Sequence, residues 1–167
     1  AHILYGELYG LHMGLAGPQT DMACLMTINQ NGQAITLSSQ LRDAGITDLV
    51  QLQKNINSHS PGTYTFAQTF PTGNHAMWLY YWLATAGIHP LQQIRSLVVP
   101  PPQMVVNMKI GNMQGCCVGE PWNQRAIIDN VGFTATTSQQ IWPDHPEKVL
   151  GTRADWVSAQ PNTARAL

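Results

Sequence analysis

The run over residues 111–127, GNMQGCCVGEPWNQRAI, constrains the fold more than any other stretch of the chain. Gly115-Cys116-Cys117-Val118-Gly119 reads as a short buried strand, a compact apolar run closed by glycine at each end. A helix follows at once, opening at Pro121-Trp122. Proline suits a first helical position because its missing N–H has no intrahelical acceptor there. A strand that feeds a helix this directly belongs to a layered α/β fold. Glu120 and Trp122 are then expected at the carboxyl end of a sheet strand, where open α/β sheets bind ligands.

The same alternation runs through most of the chain. Residues 22–28 (MACLMTI) and 33–37 (QAITL) read as strands on either side of the turn Asn29-Gln30-Asn31-Gly32. Thr47 is the expected N-cap of a helix carrying Leu49, Val50 and Leu52. Ser60-Pro61-Gly62 breaks the chain before a strand over 64–69. A helix follows Pro71-Thr72-Gly73, with Met77, Tyr80, Tyr81 and Ala84 at helical spacing and Trp78 and Trp82 on the adjoining stripe. Gly87 is its natural stop. Residues 94–99 form a strand, and Pro100-Pro101-Pro102 leads into a helix with Met104, Val105 and Met108. Strands are expected over 133–137 and over 149–156, the latter running into a turn, and Pro161 opens a last helix. The pattern predicts an α/β fold, a layered and largely parallel sheet with helices on both faces.

Composition narrows the function. The 167 residues suffice for a single α/β domain with its own core, and a hydrophobic share of 44% excludes disorder. The formal net charge of −1 gives no electrostatic footprint for nucleic acid. No apolar run approaches the ~20 residues that span a bilayer. Charged residues are only 10% of the chain against a usual ~25%, so its surface is amide- and hydroxyl-rich or is covered by another part of a larger protein. The cysteines are Cys24, Cys116 and Cys117, an odd number that argues against a disulfide framework. They read as small buried hydrophobes, since neighbours on a strand point to opposite faces and a Cys116–Cys117 bridge would be strained. The histidines lack metal-ligand spacing, so neither a metal nor a cofactor is expected.

Several segments taken together resemble one family: Asn31-Gly32-Gln33-Ala34-Ile35-Thr36-Leu37; Gly73-Asn74-His75-Ala76-Met77-Trp78 with Tyr81-Trp82-Leu83-Ala84; Val118-Gly119-Glu120-Pro121-Trp122-Asn123; and Ile141-Trp142 through His145-Pro146-Glu147-Lys148. The chain is similar in these to the nitrate- and bicarbonate-binding proteins of bacterial ABC importers, a group that includes a cytoplasmic nitrate/nitrite sensor of transcription antitermination. The resemblance implies one lobe of a type II periplasmic-binding-protein-like fold, the second lobe plus hinge-proximal segments of a larger two-lobe protein. The first half of the other lobe is expected before Ala1 and its remainder after Leu167, with the family's ligand-contacting tryptophan in that part.

The resemblance also implies Gly73, Gln33 and Lys148 as ligand residues, and position alone adds His75, Glu120 and Trp122; each has a plainer reading. Gly73 precedes a helix whose N-terminal N–H groups attract anions, and glycine lets the anion approach the backbone; it is otherwise an ordinary turn glycine. Gln33 offers an amide to a nitrate oxygen, or is simply solvated. Lys148 offers a compact charge with three donors, or complements a helix terminus. A lysine here favours nitrate or nitrite, whereas the bicarbonate-binding members replace the charge and use calcium; a slip to Glu147 would reverse that argument. His75 polarises the anion site, or caps and packs. Glu120 and Trp122 line or support the cleft, and Glu120 takes no direct contact because a bare carboxylate repels an anion.

The leading function is therefore the substrate-binding component of a nitrate/nitrite ABC import system, holding a small oxyanion non-covalently between two lobes and signalling to ABC permease subunits. Such a protein is periplasmic or membrane-associated. The alternatives are a cytoplasmic nitrate sensor acting on a regulatory partner protein, a regulatory domain on a transporter ATPase, and a bicarbonate-binding transport protein. An enzyme built on Cys116 or Cys117 is disfavoured, because a reactive cysteine needs an electropositive, partly exposed setting and these lie in an apolar strand.

Overall fold

The computed structural model describes residues 1–15 and 17–167. In chain order the elements are β1 (His2–Leu4), α1 (Tyr5–His12), β2 (Met22–Gln30), β3 (Gln33–Ser38), α2 (Ser39–Asp43), α3 (Leu49–Asn57), β4 (Tyr64–Gln68), α4 (Asn74–Thr85), β5 (Ile94–Val98), α5 (Met104–Lys109), β6 (Gly115–Gly119), α6 (Trp122–Ile128), β7 (Gly132–Thr137), α7 (Ser138–Ile141), β8 (Pro146–Arg153), α8 (Ala154–Ala159) and α9 (Pro161–Ala166). They fall into two compact units, one made of Ala1–Asn31, Thr72–Asn74 and Asp144–Leu167, the other of Gly32–Pro71 and His75–Pro143.

The larger unit is a five-stranded sheet in the order β5-β4-β6-β3-β7. β4 runs parallel to β5 and β6, while β3 runs antiparallel to both β6 and β7. Within this sheet the expected parallel arrangement holds except at β3, which enters it the opposite way; the strands expected over 22–28 and 149–156 lie outside it, in the antiparallel sheet of the smaller unit. One face of the sheet carries Ile35, Leu37, Phe66 and Cys117 against Leu52 and Ile56 of α3 and Leu79, Trp82 and Leu83 of α4. The other carries Ala67, Cys116 and Val118 against Met104 and Met108 of α5. Helices cover both faces, and the adjacent cysteines point to opposite sides, as strand geometry requires. Asn123 pins α6 to the sheet: it is buried, accepts from the Thr36 hydroxyl at 2.8 Å and donates to the Val118 carbonyl at 2.7 Å.

The smaller unit is a three-stranded antiparallel sheet in the order β1-β8-β2, with α1 lying on it. The turn at Asn31-Gly32 forms with positive φ at both residues, but β2 and β3 belong to different sheets rather than to one hairpin. α1 buries Gly6, Leu8 and Gly10. The Gly6 N–H donates to Asn74 Oδ1 at 2.5 Å, and an added Cβ at Gly6 would lie 2.7 Å from the Thr72 carbonyl and 2.9 Å from the Asn74 nitrogen. The segment just before α4 is therefore laid directly against a glycine face of α1.

Several local expectations are corrected. Pro121 is the N-cap residue of α6, at φ −93° and ψ 12°, and not its first helical residue. Asp48 rather than Thr47 caps α3, because its carboxylate reaches the Gln51 N–H at 2.8 Å in a capping box; Thr47 instead donates to the Gln51 side chain. The strand expected over 149–156 begins earlier, and Ala154 starts a helix. The buried stripe of α4 is Ala76, Leu79 and Leu83, leaving Met77 and Tyr81 half exposed; apolar residues surround this helix, so periodicity alone did not select a face. Cys24 is exposed on the edge strand β2, whereas Cys116 and Cys117 are buried.

Candidate functional site

The carboxyl ends of β4, β6 and β7 and the amino end of β3 lie along one edge of the five-stranded sheet. Gln33 begins β3 immediately after the positive-φ residue Gly32, a conformation that favours glycine. It pairs in register with Gly119, the last residue of β6, and its N–H donates to Ser138 Oγ at 3.4 Å. The Gln33 side chain is 2% exposed, yet neither end of its amide finds a hydrogen-bond partner among the described residues. A buried amide left this way costs about 1–3 kcal/mol per unmet group, which makes Gln33 a candidate for contact with a water or a ligand.

Gly119 keeps the space beside Gln33 open. A Cβ there would sit 3.8 Å from the Gly32 carbonyl and 3.9 Å from His75 Nε2. His75, in the first turn of α4, is buried and its Nδ1 lies 2.5 Å from the Thr69 hydroxyl, which fixes the ring. Gln33 and His75, picked from distant parts of the sequence, are thus brought together around Gly119.

Glu120 and Trp122 lie outside that cluster. Glu120 is exposed, and its carboxylate accepts from the Gln124 N–H at 3.1 Å, capping the first turn of α6. Trp122 packs against the cluster of Met104, Met108 and Val118 and lines a groove with Pro102, Val105 and Ile128. Both support α6.

Gly73 and Lys148 belong to the smaller unit. Gly73 is buried just before α4, in the segment that packs on α1. Asn74, next in the chain, donates to the carbonyls of Pro146 and Glu147 at 3.2 and 3.3 Å, so it ties this segment to β8. Lys148 sits in β8 between Leu4 and Asn29. Its ammonium donates to Glu147 Oε1 at 3.0 Å, and the Glu147 side chain is 4% exposed against 28% for Lys148. The nearby Glu7 carboxyl is raised above its ordinary pKa, chiefly by burial; a hydrogen bond from the Leu4 backbone and the Lys148 charge oppose that rise. One of the three ammonium donors is therefore committed to Glu147.

Cys116 is not poised as a nucleophile. Burial pushes the Cys116 thiol up to about 12, so almost none is thiolate at neutral pH. Iodoacetamide at pH 7.5 is expected to modify exposed Cys24 and to leave Cys116 unmodified in the native protein, read by intact-mass analysis; selective labelling of Cys116 would reopen a covalent role. Among the described residues no group of three His, Cys, Asp or Glu side chains could hold a metal.

A model of the NMT1-like family matches residues 1–167. The chain belongs to that family. It is 42% identical over 170 residues to the nitrate/nitrite binding protein NrtA of Synechocystis, covering 100% of this chain and 38% of that protein. It is 39% identical over 168 residues to the nitrate import ATP-binding protein NrtC of the same organism, covering 100% of this chain and 25% of the relative. The bicarbonate transport ATP-binding protein CmpC of Synechocystis is 41% identical over 142 residues, covering 85% of this chain and 21% of the relative. The crystal structure of the periplasmic nitrate-binding protein NrtA from Synechocystis superposes with a TM-score of 0.87 over 99% of this chain and 43% of that one. This member of the NMT1-like family therefore spans about two fifths of the length of the NrtA relative it matches, and its fold class is the one the resemblance implied.

Gln68, Thr69, Asn74 and the glycines of α1 escaped the sequence reading. A polar pair, Gln68-Thr69, ending the apolar strand Tyr64-Thr65-Phe66-Ala67 was the available signal for the first two, and the Gly6-x-x-x-Gly10 spacing for the last. Asn74 carried no signal beyond its place after Gly73.

Proposed function

We propose that this chain is part of the nitrate- or nitrite-binding component of an ABC import system. The five-stranded unit belongs to the second lobe of a two-lobe protein, and the three-stranded unit supplies hinge-proximal segments. The oxyanion is held non-covalently and no bond is made or broken. The observation that carries this reading is Gln33: a buried amide with neither end partnered among the described residues, opposite a glycine and beside His75. An amide N–H and an imidazole N–H suit a small planar oxyanion, and the absent side chain at Gly119 leaves room for it. Gly73 and Lys148 keep the ligand role that the resemblance gives them. Glu120 and Trp122 act on the site through α6. The partner is a permease, and the protein works in the periplasm or at the membrane that carries it; the names of the NrtA and NrtC relatives support both.

Isothermal titration of nitrate, nitrite and bicarbonate into the complete protein, the last with and without calcium, tests the reading. Metal-free binding of nitrate or nitrite is expected. Calcium-dependent bicarbonate binding would move the protein to carbon uptake, in line with the CmpC relative. No binding of any of these anions would overturn the ligand assignment and leave the fold.

A further inference from the structure

Gln68 ends β4 with 1% exposure, and its Oε1 has no hydrogen-bond partner among the described residues. Phe66 faces the same core as Ile35, Leu37 and Cys117, while Ala67 faces the other. Alternation then puts Gln68 on the face of Phe66, and Gln33 on that of Ile35. Both amides thus lie on the α4 side of the sheet, on the two strands that flank β6. The register Ala67↔Cys116 sets Gln68 level with Cys117, two residues short of Gly119. Strand spacing separates the two glutamine α-carbons by about 10 Å across the sheet and about 7 Å along it. Two extended glutamine side chains and one small oxyanion fill such a span, and between them the β6 residue nearest the edge is glycine. Thr69, next in the chain, holds His75 from the same strand end.

We propose that Gln68 is a second ligand-reading amide of this pocket, an inference that rests on the anion-binding reading above. An amide presents two N–H donors at one end and an acceptor at the other, in nearly the same shape. A half-turn about its last bond therefore offers either donors to a bare oxyanion such as nitrate or an acceptor to the O–H of a protonated one such as bicarbonate. Turned one way or the other, Gln33 and Gln68 would serve planar three-oxygen anions of either kind. The buried Gln33 amide and the buried Gln68 Oε1, both without a partner among the described residues, are otherwise a cost to the ligand-free fold with no return.

Gln68→Met keeps the length and apolar fit of the side chain and removes only the amide. In the complete protein it is expected to lower nitrate affinity at least tenfold by calorimetry, and to leave the ligand-free melting temperature unchanged or a few degrees higher. Wild-type nitrate affinity in the variant would overturn the proposal, leaving Gln68 served by water. A joint fall in affinity and ligand-free melting temperature would also overturn it, since that is the signature of a structural hydrogen bond. Nitrate, nitrite and bicarbonate all failing to bind the wild-type protein would overturn the anion reading itself, and this inference with it.

Discussion

Lys148→Glu in the complete protein is expected to abolish nitrate binding, with no detectable heat in a calorimetric titration. The ammonium is less than a third exposed and is held by Glu147 at 3.0 Å, so its position is set before any ligand arrives. One donor serves Glu147 and two stay available. A unit charge at about 4 Å contributes about 4 kcal/mol at an effective dielectric near 20, which is roughly a thousandfold in affinity. Charge reversal replaces that attraction with a repulsion of similar size. It also sets a new carboxylate beside buried Glu147 and near Glu7, so the variant is expected to melt at a lower temperature. Lys148→Met separates the effects: it removes the positive charge without adding a negative one. Cooperative melting of either variant, combined with wild-type nitrate affinity, would reduce Lys148 to a partner of Glu147.

The legible parts of this chain were those where local pattern and tertiary role agree. The strand Gly115–Gly119 was bounded correctly because glycines frame a run that is buried on both faces. The Gln33 strand was visible from its turn, and its amide became a candidate only through the family resemblance. What the sequence hid were relations between distant segments. Nothing near Gln33 in sequence indicates that Gly119 lies opposite it or that His75 reaches over that glycine. The reversed direction of β3 has no local signature either, since a strand buried on both faces reads the same both ways. Glu120 illustrates the converse. Its place at the carboxyl end of a strand was read correctly, but its carboxylate is used by the helix that follows. Position at a sheet edge suggests a ligand, and the hydrogen-bond partner decides.

Gly6→Ala is expected to cost about 3 kcal/mol of stability and to weaken anion binding at the same time, because the clash falls on the segment that carries Gly73. The added Cβ would meet Asn74 Oδ1 and the Thr72 carbonyl, each at 2.7 Å, and the Asn74 nitrogen at 2.9 Å. Two of these are backbone atoms and cannot rotate away. The asparagine oxygen is itself the acceptor of the Gly6 N–H, so relief on one side breaks a hydrogen bond on the other. Asn74 would then loosen its hold on the carbonyls of Pro146 and Glu147, next to Lys148. Gly10 gives a control of the same size on the same helix. The atoms nearest its Cβ all belong to the Thr72 side chain, with Thr72 Cβ at 2.8 Å and Oγ1 at 2.9 Å. Thr72→Gly should therefore restore most of the melting temperature lost by Gly10→Ala and almost none of that lost by Gly6→Ala. Equal rescue of the two, in thermal denaturation followed by circular dichroism, would mean that the segment before α4 shifts freely and that the glycine face of α1 does not set its position.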